Sequence, residues 1–236
     1  MKENVPFGPQ NTFLFRLIAL FSRLQLSYLL RSMGNPRVLM LLFVFAAGAT
    51  AIGIITAVAY VTRLPLIFPP LAPSAFILFH TPMSVTASPR NVILSHTMAV
   101  VAGLLSLQIV AMIWPEANLS EASVMNWFRV LAIAISMGLI GIIMVGLRCV
   151  HPPAAASALL AAMGYLATVE QVLGIIAAVI LLVLEAIFFN RILGGLPYPL
   201  WQAKPKVARN YGELAGIPAT ETTFWRQLAA KTFERR

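Results

Sequence analysis

A proline pair heads each of two short apolar segments, and the residues that follow could bind a small anion. Pro69-Pro70 is followed by Ala72, Ser74 and Ala75, and Pro152-Pro153 by Ala155, Ser157 and Ala158. The offset is 83 residues throughout, with five identities in seven positions, so the stretches read as two copies of one unit. Proline in a first helical turn forfeits no hydrogen bond, because that N–H is unpaired anyway. The following N–H groups should point outward, with the positive end of the helix dipole behind them. Two such ends meeting inside a bilayer would make an anion site. Ser74 and Ser157, about one turn in, could add hydroxyl donors. The plainer reading is that the prolines only start or kink two ordinary helices, and the matched pair argues against it.

His151 stands just before the second proline pair and could donate to an anion or carry a proton, since its ordinary pKa lies near physiological pH. Its bland role would be to cap the helix. Phe68 holds the equivalent place in the first copy, so any histidine role is asymmetric. Arg90, Arg148 and Arg63 would gather anions at the mouths of a path, or simply fix topology. Glu185 is the one acid inside a clear apolar span, and an intramembrane ionisable group is a functional hypothesis by default. It could couple anion movement to protons, with His96, or pair with His96 or an arginine and only hold helices together. His80, His96, His151 and Glu185 show no i, i+4 metal spacing, so neither metal nor cofactor is expected. No Gly-x-Ser-x-Gly elbow, His-Glu-x-x-His or acid pair suggests an enzyme. Cys149, the sole cysteine, reads as a packing residue.

The elements that must position these residues are membrane helices. Of 236 residues, 59% are hydrophobic and 11% charged, against roughly a quarter charged in soluble domains. There is no Asp, and no acid between Glu3 and Glu116. A span needs about 20 apolar residues. Four stretches qualify: Val38–Thr62, Val92–Trp114, Val130–Leu147 and Val172–Ile192. Leu64–Phe79 and Pro152–Ala167 are apolar but short. The formal charge of +9 does not indicate nucleic acid, because the basic residues concentrate in the tails that flank the spans. Asn11–Arg31, with Phe13, Leu14, Leu17, Ile18, Phe21, Leu24 and Tyr28, reads as an amphipathic helix lying in the interface. An organellar transit peptide is the competing reading.

The Lys and Arg counts put both tails in the cytoplasm, and the loop Pro115–Asn126, with Glu116 and Glu121, outside. Four or six crossings both satisfy this. With six, Arg90 and Arg148 lie inside, Glu170 lies outside, and Arg63 is counted as the exception. The expected architecture is an all-α polytopic bundle of two repeats, about 38–114 and 130–192. Each repeat reads span, short proline-headed helix, span. Under six crossings they are inverted, a pattern that points to transporter binding sites. An N-terminal interfacial segment (1–37) and a basic tail (197–236) flank the membrane domain (38–196).

The stretch Arg148-Cys149-Val150-His151-Pro152-Pro153-Ala154-Ala155-Ala156 resembles the signature of the HPP family of integral membrane proteins. Pro89-Arg90-Asn91-Val92 with His96 and Gly103, and Asn190 with Tyr198-Pro199 and Trp201, resemble further family stretches. The resemblance runs from about Pro36 to Trp201. Plant and cyanobacterial members are described as nitrite transporters, and the family is usually given four transmembrane segments. The resemblance therefore implies a small-anion transporter or channel, with nitrite first, in a bacterial or cyanobacterial inner membrane or, alternatively, a plastid membrane. Coupling to protons, to Na⁺ or to neither stays open. The rivals are a membrane scaffold and, behind it, an intramembrane enzyme. Six short helices make a thin bundle, which leaves room for a homo-oligomer.

Overall fold

A computed structural model describes residues 36–119, 122 and 125–203, together with Gln25, Leu26 and Leu29. Apart from those last three, the interfacial segment Asn11–Arg31 lies outside the described residues, as do Glu121 and the tail from Lys204 onward. Six α-helices follow one another: α1 (Pro36–Thr62), α2 (Leu71–His80), α3 (Pro89–Ile113), α4 (Trp127–Gly146), α5 (Ala154–Ala162) and α6 (Val169–Ile187). A π-helical turn, Phe188–Leu193, extends the last. Among the described residues there is no strand. Four helices are long and apolar enough to cross a membrane: Arg37–Thr62, Pro89–Ile113, Trp127–Gly146 and Val169–Leu193. They coincide with the four spans read from the sequence, with no end moved by more than three residues.

The ends follow local chemistry. Asn126 caps α4 by accepting from the Arg129 N–H, and this starts the helix before Val130. Thr168 and Gln171 form a reciprocal capping box at the head of α6. α1 and α4 each stop at an arginine in the left-handed region, Arg63 at φ 61° and Arg148 at φ 50°. After α4 the Cys149 N–H reaches back to the Met144 carbonyl, closing a Schellman-type end.

The two short helices are shorter than their apolar stretches. Residues 63–68 form no regular element, and α2 begins only at Leu71. A residue before proline is pushed out of the helical region, which applies to Leu64 and Phe68 here. α5 stops at Ala162, and Gly164 follows at φ +88°.

Packing sets the directions. Pro65 lies against Gly174 near the head of α6, and Leu78 accepts from the Asn190 amide just past its end at 3.0 Å. The segment through α2 therefore runs parallel to α6. α5 runs parallel to α3: Ser157 meets His96, and further along both helices Ala158, Ala161 and Ala162 meet Gly103. A side chain at Gly103 would fall inside contact distance of the Ala158 carbonyl and the Ala161 methyl. With no hydrophobic drive between helices in lipid, such close backbone approach supplies the packing energy.

α1 buries one stripe, Ala47, Ala51, Ile55 and Ala59, at four-residue spacing. Its other faces expose Leu41, Leu42, Phe45, Tyr60 and Val61. An apolar surface of this kind on a helix long enough to span is lipid-facing, so the protein is integral to a membrane.

Gly103→Val is expected to lower stability by about 1–3 kcal/mol through overpacking. Gly48→Ala, which would meet nothing within 4 Å, is expected to be near neutral. Melting of both purified variants in detergent checks this.

Candidate functional site

Four polar side chains meet where the two short helices approach α3: Ser74 of α2, His96 of α3, His151 ahead of α5, and Ser157 of α5. All are at most 1% exposed. His96 sits between the two serines. Its Nε2 lies 3.0 Å from Ser74 Oγ and its Nδ1 2.8 Å from Ser157 Oγ. These serines are the pair 83 residues apart. His151 Nε2 lies 2.9 Å from the same Ser74 Oγ, and its Nδ1 2.8 Å from the Thr86 carbonyl oxygen. Ser74 Oγ is also 2.9 Å from the Pro70 carbonyl. The two imidazole centroids are 5.3 Å apart.

Hydrogen bookkeeping orders this cluster. A carbonyl only accepts, so His151 must donate from Nδ1 to Thr86. A neutral His151 then has a lone pair on Nε2, and Ser74 holds the one hydrogen that can reach it. If that hydrogen went to Pro70 instead, a buried acceptor would stay empty, at a cost of about 1–3 kcal/mol. Ser74 therefore donates to His151 and accepts from His96 Nε2–H. His96 Nδ1 is left as an acceptor for the Ser157 hydroxyl. With both rings neutral, every group is satisfied only when the bonds run from Ser157 through His96, Ser74 and His151 to Thr86.

A shell of side-chain bonds to backbone carbonyls holds the two loops around His151. Asn91 donates to the carbonyls of Val85, at 3.0 Å, and Val150, at 3.4 Å, so one amide ties the Thr86 turn to the residue before His151. Ser95 donates to the Cys149 carbonyl. Tyr198 donates from its hydroxyl to the Ala87 carbonyl at 2.6 Å. Burial pushes the Tyr198 phenol above its usual pKa, so it stays a donor at physiological pH. The Arg90 N–H donates to the Trp201 carbonyl at 2.9 Å.

The other sequence candidates lie apart from this cluster. The Arg90 guanidinium donates to the carbonyls of Arg148, at 3.0 Å, and Leu147, at 3.1 Å, and so closes the end of α4. Arg148 itself is exposed and serves as the left-handed residue of that end. Arg63 is exposed at the end of α1, with its guanidinium 5.0 Å from the Tyr60 ring. Glu185 is buried with neither carboxylate oxygen hydrogen-bonded, so it pairs neither with His96 nor with an arginine.

The backbone expectation needs correction. The first N–H groups of both short helices are not free. Leu71 and Ala72 donate to Phe68 and Pro69; Ala154, Ala155 and Ala156 donate to His151, Pro152 and Pro153. Tight turns at Pro69-Pro70 and Pro152-Pro153 close these donors back on the chain. The polar groups offered to the interior are instead the hydroxyls and imidazoles.

Sequence reasoning also passed over Arg129. It is wholly buried near the head of α4, donating to the carbonyls of Ala162, at 3.3 Å, and Leu119, at 3.2 Å. It joins the end of α5 to the loop after α3. That end of the bundle also carries Arg63, so under the expected orientation Arg129 would be a second exception to the charge rule beside the one counted. A basic residue in the loop-side turn of an otherwise apolar span was the available signal.

The geometry has a direct check. Histidine labelled with ¹⁵N should show the two buried rings as opposite neutral tautomers, Nδ1–H on His151 and Nε2–H on His96. Two rings of the same tautomer would contradict the assigned bond order.

Comparison with known proteins bears on the whole of this region. A family model described as the HPP transmembrane region matches residues 33–199. A transmembrane protein of Dictyostelium discoideum is 31% identical over 138 residues, which are 55% of this chain and 43% of the relative. The chain thus matches less than half the length of that relative. No solved structure matches.

Proposed function

Because the chain belongs to the HPP transmembrane family, we propose that it is a transporter for a small inorganic anion, with nitrite the first candidate. The observation that carries this reading is the meeting of two equivalent serines on one buried histidine. Ser74 and Ser157 reach His96 from the two short proline-headed helices, buried inside the bundle. Polar groups at such depth are costly and mark substrate paths. Hydroxyl and imidazole donors suit a singly charged oxyanion, which they can partly strip of water and still release. The substrate passes unchanged, so no catalytic turnover is assigned.

In this reading both short segments cross, giving six passes and two halves of opposite sense. The parallel runs of α2 with α6 and of α5 with α3 support it, and alternating access would rock one half against the other. The cluster is closed to solvent in this conformation, so the anion enters when that rocking opens it. Arg90, Arg148 and Arg191 share one end with the segment through Trp201, which we assign to the cytoplasm along with both tails. An inner (plasma) membrane fits this assignment.

Purified protein in liposomes should take up nitrite saturably, above the leak of empty liposomes. Ser157→Ala should raise the half-saturating concentration by roughly five- to tenfold, as expected for about one lost hydrogen bond. A folded protein that moves none of nitrite, nitrate, chloride and formate would overturn the reading and favour a scaffold role.

A further inference from the structure

We propose that Ser157, His96, Ser74 and His151 form a proton relay that loads a single proton with each anion, making the carrier a proton–anion symporter. The proposal rests on the anion reading above and adds the coupling ion and its route.

The array has two hydrogen-bonding states, and the second leaves only the Ser157 hydroxyl hydrogen without an acceptor in the chain, a donor that a bound anion would take. The neutral one runs from Ser157 to Thr86, as derived from the distances. The other holds one more proton. Let that proton arrive on His96 Nδ1, and let Ser157 turn to accept the new N–H. His96 then releases its Nε2 proton to Ser74 Oγ as Ser74 releases its own to His151 Nε2. Three N–H or O–H bonds form, at His96 Nδ1, Ser74 Oγ and His151 Nε2. Two break, at His96 Nε2 and Ser74 Oγ. The balance is one added proton and one positive charge, now on His151. All four bonds survive: His151 still donates to Thr86, while the other three reverse, with His151 donating to Ser74, Ser74 to His96, and His96 to Ser157. Release of the proton from His96 Nδ1 retraces the same steps.

Two features limit the array to one proton. A reversed chain with no added proton is incomplete, because the His151 Nδ1 lone pair would face the Thr86 carbonyl. Two added protons would put cationic rings 5.3 Å apart in an apolar interior.

The surroundings make the charge depend on an anion. The other titratable groups on the elements packed around the rings are His80, Arg129, Glu170, Glu185, Arg90 and Tyr198, with Arg148 and Cys149 in the stretch before His151. None of them hydrogen-bonds to either imidazole. A protonated relay thus has no fixed counter-charge bonded to it. An anion held at the same serines would supply one, so each ligand raises the affinity for the other by the same factor. That reciprocity is what a symporter requires.

The test uses the full chain in liposomes that enclose a pH-reporting dye, with nitrite as probe and empty liposomes subtracted. About one proton should enter with each nitrite, and collapse of the proton gradient should abolish accumulation above equilibrium. Ser74→Ala cuts the relay between the two rings and should drive the proton-to-nitrite ratio toward zero. Ser157→Ala cuts it at the outer hydroxyl and serves as the second variant should the first fail to fold. Nitrite movement by the wild type with no accompanying proton overturns the relay and leaves the anion reading standing. A folded variant that keeps the full ratio also overturns it. A folded wild type that moves neither nitrite nor protons overturns the anion reading, and the symport with it.

Discussion

One hydroxyl hydrogen, that of Ser74, is shared among three groups that could take it, and much of the interior is arranged around that shortage. In hydrocarbon there is no water to satisfy a spare acceptor, so each polar atom must find its partner within the chain. Ser74 faces His96, His151 and the Pro70 carbonyl at 2.9–3.0 Å. Because Thr86 fixes one nitrogen of His151, that hydrogen has one useful direction, and the order of the remaining bonds follows. One added proton then reverses the three bonds between Ser157 and His151.

Rigidity around the cluster comes from bonds between side chains and backbone carbonyls. Asn91, Ser95, Arg90 and Tyr198 hold the loops before α3 and α5, so that Thr86 and His151 keep their distance. The residues that give the family its recognisable stretches divide into two groups on this basis. His96 and His151 stand in the polar cluster, whereas Arg90, Asn91, Tyr198 and Trp201 hold the walls. Gly103 belongs with the second group, since its bare backbone lets α5 approach α3 closely enough for Ser157 to reach His96.

Much of this was legible in the sequence. The four spans follow from run length, because the bilayer sets the length of an uncharged helix. The serine pair followed from the 83-residue offset, and His151 and His96 from being ionisable groups beside or within apolar runs. What could not be read was the pairing. That His96 lies between the two serines depends on α5 lying parallel to α3, a tertiary fact with no local signal. The role of Arg90 was hidden for the same reason, since the carbonyls it holds are 57 and 58 residues away. The helix starts misled differently. Proline does leave a helix head short of partners, but the tight turns at Pro69-Pro70 and Pro152-Pro153 satisfy the next N–H groups locally.

The central claim, that a small anion binds at the serine–histidine junction, is tested most directly by adding nitrite to ¹⁵N-histidine-labelled protein in lipid and following the rings by NMR. The chain has three histidines, and His80, exposed at the end of α2, is an internal control. The account predicts saturable shifts of the His96 and His151 nitrogens with His80 unmoved. Saturable nitrite binding that leaves both buried rings unshifted would contradict it.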